Sequence, residues 1–123
     1  MNFPGVRGEV RLREPMSGHT SFRIGGPADA MVFPVDRADL FTLLHIVRER
    51  ALPFLLLGGG TNLLVRDGGF RGVVVSLRNM ASFEITREYR SLGGSFAVIR
   101  ADAGAFLPRL ASFAAERGLT GLE

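Results

Sequence analysis

The sequence predicts an α+β fold, with a βαββ first part followed by the start of a second mixed α/β part. In the first part, short apolar runs and one helical pattern follow each other in the order strand, helix, strand, strand. Beyond residue 79 the pattern changes to short alternating stretches and a second helical pattern. We therefore expect one subdomain over residues 1–79 and the incomplete beginning of another over residues 80–123.

The first part opens with polar, irregular sequence. Residues 1–18 hold several prolines and glycines and predict an arm or a short strand, and residues 19–27 end in a turn cluster. Residues 28–35 are nearly continuously apolar, which is typical of a strand buried on both faces.

A helix is expected next. Asp36 can cap its start, and Asp39 places negative charge in its first turn. Its apolar face is formed by Leu40, Leu43, Leu44 and Val47. Pro53 ends the helix, residues 54–57 form a short strand, and residues 73–77 form another.

The second part predicts an antiparallel pair and a helix. Residues 82–86 and 96–101 read as two strands around a polar turn that contains Gly93-Gly94. The helix is expected over residues 106–117, and Gly118 is its stop signal.

Composition excludes several kinds of chemistry. The chain has no cysteine, so a disulfide framework, a cysteine zinc site and a thiol nucleophile are excluded. It has no lysine either, which excludes a Walker-type phosphate lysine and Schiff-base catalysis. His19 and His45 are the two histidines, and we expect neither a metal site nor a Ser–His–Asp triad.

Charge and hydropathy bear on partners and location. The net charge of +3 comes from scattered arginines without a basic stripe, so we expect no nucleic-acid partner. No apolar run is long enough to span a bilayer, and we expect a cytoplasmic protein without a membrane partner.

The triple glycine that follows the strand over residues 54–57 carries the most information. Gly58, Gly59 and Gly60 allow close backbone approach, and successive N–H groups in such a turn can form a nest for phosphate. Thr61 and Asn62 add side-chain donors. A plain structural turn is the alternative. The loop matches neither the Rossmann glycine pattern nor the P-loop.

Three segments carry a resemblance to a known family. They are residues 57–72 (LGGGTNLLVRDGGFRG), residues 19–28 (HTSFRIGGPA), and residues 103–105 with the helix leading to residues 118–123 (GLTGLE). In this order they resemble UDP-N-acetylenolpyruvoylglucosamine reductase, also called UDP-N-acetylmuramate dehydrogenase.

The resemblance implies an FAD-binding module of the vanillyl-alcohol-oxidase type, with FAD lying between the two subdomains. It implies that residues of the glycine loop bind the FAD pyrophosphate, namely Gly58, Gly59, Gly60, Thr61 and Asn62, and that Leu63 also belongs to the cofactor-binding residues. It further implies that Gly104 approaches the flavin and that Arg23 lies near the cofactor, with a structural salt bridge as the alternative for Arg23. Asp67 is expected to be a turn residue, because Asp before Gly is typical of turns, with a ligand contact as the alternative.

The family's reaction is also implied. A hydride from NADPH would reach the enolpyruvyl double bond of UDP-N-acetylglucosamine enolpyruvate by way of FAD, giving UDP-N-acetylmuramate for bacterial peptidoglycan. No residue of this chain matches the family's catalytic motifs, and we expect the family's substrate domain to lie outside it. We therefore expect a fragment that is inactive alone and that self-associates through uncovered apolar surface.

Two other functions stay open at this point. One is another flavin oxidoreductase of the same superfamily, and the other is a non-catalytic nucleotide-binding module.

Overall fold

The computed structural model describes residues 1–122, and Glu123 lies outside the described residues. It has two helices, six strands and one 3-10 turn. In chain order these are β1 (Glu9–Pro15), the 3-10 turn (Met16–Gly18), β2 (Pro27–Phe33), α1 (Arg37–Glu49), β3 (Phe54–Leu57), β4 (Phe70–Ser76), β5 (Phe83–Ser91), β6 (Gly94–Ala101) and α2 (Leu107–Glu116).

The first sheet has the strand order β1-β2-β4-β3. Strand β1 is antiparallel to β2, whereas β2, β4 and β3 are mutually parallel. The expected strand–helix–strand unit is present as β2, α1 and β3, but β4 lies between its two strands. The connection through α1 is long enough for another strand to lie between β2 and β3, and β4 occupies that position.

Both faces of this sheet are covered. On one face α1 packs against the sheet through Leu43, Ile46 and Val47. On the other face a second cluster forms around Met31, Phe33 and Val74, and it includes Met16 and Val65 from the connecting segments. The expectation that β2 is buried on both faces is confirmed.

The second cluster is covered by two irregular segments that lie directly against each other. The Gly26 N–H donates to the Arg66 carbonyl oxygen at 2.9 Å, and a Cβ at position 26 would overlap the Asp67 carbonyl. Gly25 has a φ of +138°, and a Cβ there would lie 2.9 Å from Cβ of Val65. These two glycines therefore let the segment after the 3-10 turn contact the loop before β4.

Strands β5 and β6 form a two-stranded antiparallel sheet that is longer than expected. The polar residues that suggested a wide turn continue the pairing up to Ser91 and Gly94, because backbone hydrogen bonds do not require apolar side chains. Tyr89 and Phe96 are cross-strand partners whose rings stack with centroids 5.5 Å apart.

Helix α2 lies beside this hairpin. The rings of Phe83 and Phe113 meet edge to face at 5.0 Å. Gly118 ends the helix with a φ of +69°, as expected. Within residues 83–122, Ala114 is the one buried side chain. The large apolar residues exposed in this region are Tyr89, Leu92, Phe96, Val98, Phe106, Leu107 and Leu122.

Among residues 1–122, no helix is long and apolar enough to cross a membrane.

A buried carboxylate fastens the start of α1 to the N-terminal segment. Asp36 caps the helix through its side chain, which accepts the N–H of Asp39. Asp39 adds more than first-turn charge, because its side chain is buried and accepts three backbone N–H groups, those of Arg7, Gly8 and Val35. Burial raises the pKa of the Asp39 carboxyl, but these hydrogen bonds outweigh burial and leave the pKa below its usual value.

We expect Asp39→Asn to destabilise the chain by about 2–3 kcal/mol at neutral pH, because the amide nitrogen of the buried asparagine would face at least one backbone N–H donor. Asp36→Asn is the matched control and should cost much less, since asparagine caps helices as well as aspartate does. Urea denaturation of both variants gives the comparison. Equal losses would contradict the role assigned to Asp39.

The contribution of the Asp39 carboxylate to the stability of the fold depends on pH. A carboxyl whose pKa is lower in the folded state stabilises the fold above its unfolded pKa of about 4. That contribution is lost as the pH falls through the lower folded-state pKa. The difference in stability between the unchanged chain and Asp39→Asn should therefore shrink below about pH 4.

Candidate functional site

The glycine loop begins where β3 ends. Leu57 is the last residue of β3 and is buried, whereas Gly58 and Gly59 are exposed. Strands β2, β3 and β4 are parallel, so their carboxyl ends meet at one edge of the sheet. In open α/β sheets, ligands bind at this edge.

The loop offers a run of unused hydrogen-bond donors. Within residues 1–122, the backbone N–H groups from Gly58 to Asn62 donate to no protein acceptor. The side chains of Thr61 and Asn62 are exposed and likewise make no hydrogen bond inside this range. Pyrophosphate needs several donors at once, and these groups fit that need without a lysine.

The three glycines of the loop have different surroundings. A Cβ on Gly58 would meet nothing within 4 Å, and one on Gly59 would meet only the methyl group of Thr61, at 3.8 Å. Gly60 is buried with a φ of +71°, and a Cβ there would overlap the His19 carbonyl oxygen. Open space therefore lies beside the first two glycines, and protein lies against the third.

The second motif segment contacts the loop at Gly60. The Ser21 N–H donates to the Gly60 carbonyl oxygen at 3.1 Å. Thr20 is buried and closes its own turn by donating its hydroxyl to the Ile24 carbonyl oxygen at 3.0 Å. The structure thus brings together two motifs that are about forty residues apart in the sequence.

Arg23 lies in this turn with a left-handed φ of +56°. Its N–H donates to the Thr20 carbonyl oxygen at 3.1 Å, and its side chain is exposed. Among residues 1–122 it makes no ion pair, so the alternative of a structural salt bridge is not observed.

Leu63 packs against the core, and Asp67 lies in a turn. Leu63 is half-buried and packs against the second core cluster, which anchors the loop behind its donors. Asp67 is exposed in a turn closed by the Gly69 N–H and the Arg66 carbonyl oxygen, 2.9 Å apart. Its expected turn position is confirmed.

Gly104 lies at the same edge of the sheet. The Leu77 N–H, just after β4, donates to the Leu57 carbonyl oxygen at 3.0 Å. A Cβ at position 104 would overlap the Leu77 carbonyl oxygen, and the Gly104 N–H donates to Met80 at 3.0 Å. Leu77 therefore links the third motif to the start of the glycine loop, a contact that the sequence pattern did not reveal.

The histidines lie in separate places. His45 is an exposed residue on α1, 3.1 Å from the Glu49 carboxylate. His19 is mostly buried and contacts Glu14. Among the described residues, no group of three or more acidic or histidine side chains is arranged to hold a metal ion.

Comparison with known proteins identifies the family of this chain. Residues 28–122 match the family described as FAD binding domain. The chain belongs to this family, whose cofactor is FAD, so the expected cofactor and the α+β FAD-binding fold are confirmed.

Two similar proteins with the same name show which enzyme of this family the chain resembles. The chain is 48% identical over 118 residues to UDP-N-acetylenolpyruvoylglucosamine reductase of Geotalea uraniireducens, covering 96% of this chain and 37% of the relative. It is 50% identical over 118 residues to the protein of the same name from Geobacter sulfurreducens, with the same coverage. The resemblance found in the three motifs is thereby confirmed.

A solved structure shows the same similarity. The crystal structure of UDP-N-acetylenolpyruvylglucosamine reductase from Thermus caldophilus matches with a TM-score of 0.63 and 28% identity. The match covers 94% of this chain and 36% of that chain. The chain thus spans a little over a third of the length of these relatives.

We expect Gly60→Ala to destabilise the chain by at least about 2 kcal/mol, because alanine disfavours the left-handed region and its methyl group would overlap the His19 carbonyl. Gly59→Ala has open space and should change stability by no more than about 0.5 kcal/mol. Thermal denaturation distinguishes the two. Similar melting temperatures would show that Gly60 does not require glycine.

Proposed function

We propose that this chain forms the pyrophosphate-binding part of the FAD site in an NADPH-dependent reductase that acts on UDP-N-acetylglucosamine enolpyruvate. The observation that carries the proposal is the run of free N–H donors from Gly58 to Asn62 at the carboxyl end of β3. The names of the similar proteins support the reductase assignment.

The proposed roles follow from the donors and from the open space. The N–H groups of Gly58 and Gly59 bind phosphate oxygens, since these two residues leave the approach open. Thr61 and Asn62 add side-chain donors, and Arg23 contributes positive charge from the neighbouring turn. Gly104 would approach the flavin through its backbone from the second subdomain, since Leu77 already fills the space where its side chain would lie.

When bound, FAD supplies the hydride-transfer chemistry, and this chain's residues hold and orient it. The proposed product is UDP-N-acetylmuramate, a precursor of peptidoglycan, made in the cytoplasm with NADPH as the hydride donor. The absence of cysteine agrees with that compartment. We assign no catalytic residue within this chain, and we propose the subdomain boundary near residue 79.

A titration with FAD tests the loop directly. We expect saturable quenching of flavin fluorescence by the unchanged chain, and at least about tenfold weaker binding by Gly59→Leu, whose side chain would fill the space that phosphate needs. Gly68→Leu is the matched control, because Gly68 also faces open space without a positive φ. Equal binding by the two variants, or no saturable binding by the unchanged chain, would contradict the proposal.

We further expect the isolated chain to self-associate. In residues 83–122 most large apolar side chains are exposed, and a two-stranded sheet is marginally stable alone. Light scattering over a range of concentrations should show a mass above 13.3 kDa that increases with concentration. A constant monomer mass at high concentration would contradict this expectation.

A further inference from the structure

A mostly buried contact between Glu14 and His19 connects the end of β1 to the turn beside the glycine loop. His19 Nε2 and Glu14 Oε1 are 2.9 Å apart, and the two side chains are 13% and 21% exposed. The His19 N–H donates to the Met16 carbonyl oxygen at 2.9 Å, which closes the 3-10 turn. The His19 side chain and backbone are therefore held at two separate points.

Further groups surround this contact. Arg11 donates to Glu14 at 3.1 Å and also pairs with Glu9 at 2.8 Å. The His19 ring centroid lies 6.2 Å from that of Phe33, a fully buried residue of β2. The pKa of the Glu14 carboxyl lies below its usual value, first because of the hydrogen bond from His19 and with burial opposing it. Glu14 is therefore an ionised acceptor at neutral pH.

The backbone of the same histidine contacts the glycine loop. The His19 carbonyl oxygen lies so close to Gly60 that no side chain fits between them, and Ser21 donates to the Gly60 carbonyl oxygen. Gly58 and Gly59 have no comparable neighbours. A displacement of the His19 backbone would therefore move Gly60, and with it the donors that precede Gly60.

We propose that the Glu14–His19 contact positions the pyrophosphate loop for FAD, with His19 acting through its backbone on Gly60. This inference rests on the proposed FAD site. His19 is a positioning residue, because its side chain contacts Glu14 and only its backbone lies against the loop, at Gly60.

Two substitutions of His19 distinguish a positioning role from a packing role. His19→Phe keeps a ring beside Phe33 but removes the donor to Glu14, whereas His19→Gln keeps a donor at nearly the position of Nε2. We expect His19→Phe to bind FAD about tenfold more weakly and His19→Gln to bind nearly as the unchanged chain does. Glu49→Gln, which alters the exposed His45–Glu49 contact on α1 and lies outside this network, should have no effect.

A second measurement does not depend on FAD. Hydrogen exchange of the Ser21 amide, which donates to Gly60, should be several-fold faster in His19→Phe and unchanged in His19→Gln. Unchanged Ser21 exchange and unchanged FAD affinity in His19→Phe would overturn the positioning role. Failure of the unchanged chain to bind FAD would instead contradict the proposed function, and the exchange result would still decide the role of His19.

Glu14→Gln tests the same contact from its other side and serves if His19→Phe does not fold. It keeps the shape of the side chain and removes its charge, so we expect FAD affinity to fall several-fold. Full affinity in this variant, together with unchanged Ser21 exchange, would overturn the proposal.

Discussion

The structure depends on the direct contact between two irregular segments on one face of the first sheet. Met16 and Val65 fill the core there, and three glycines remove the side chains that would otherwise hold the segments apart. Gly25 and Gly26 contact the loop before β4, and Gly60 contacts His19. A buried loop needs partners for its backbone N–H and C=O groups, and here each segment provides some of the partners of the other.

This contact also determines which donors stay free. The carbonyl of Gly60 accepts a hydrogen bond from the neighbouring segment, while the N–H groups of residues 58–62 find no protein acceptor among residues 1–122. The loop is therefore held in place through a carbonyl group, while its N–H groups stay available to a ligand. This arrangement suits an anionic ligand, because successive free backbone N–H groups form a concavity that binds anions.

The two parts of the chain differ in how completely they are packed. The first sheet has side-chain clusters on both faces and a buried carboxylate that secures the start of α1. In the hairpin and α2, Ala114 is the one buried side chain among residues 83–122. Close packing of Gly104 against Leu77 nonetheless links the two parts at the edge where the glycine loop begins. The second region is thus joined to the first beside the start of the glycine loop.

The sequence by itself determined where several helices and strands begin and end, because those bounds depend on neighbouring residues. The bounds of β3 follow from a four-residue apolar run between Pro53 and Gly58, and the start of α1 follows from the capping residue Asp36. The motifs were also sufficient to indicate the family and its cofactor. The length of β5 was underestimated because its charged residues pair through backbone groups that carry no side-chain signal.

Tertiary structure alone decided which of these features meet. No periodicity could show that β4 inserts between β2 and β3, or that Leu77 joins Leu57 to Gly104. Nor could spacing distinguish Gly60, which requires glycine for packing, from Gly58 and Gly59, which face open space. Such distinctions depend on atoms from residues distant in the sequence, and only the folded chain places those atoms beside the loop.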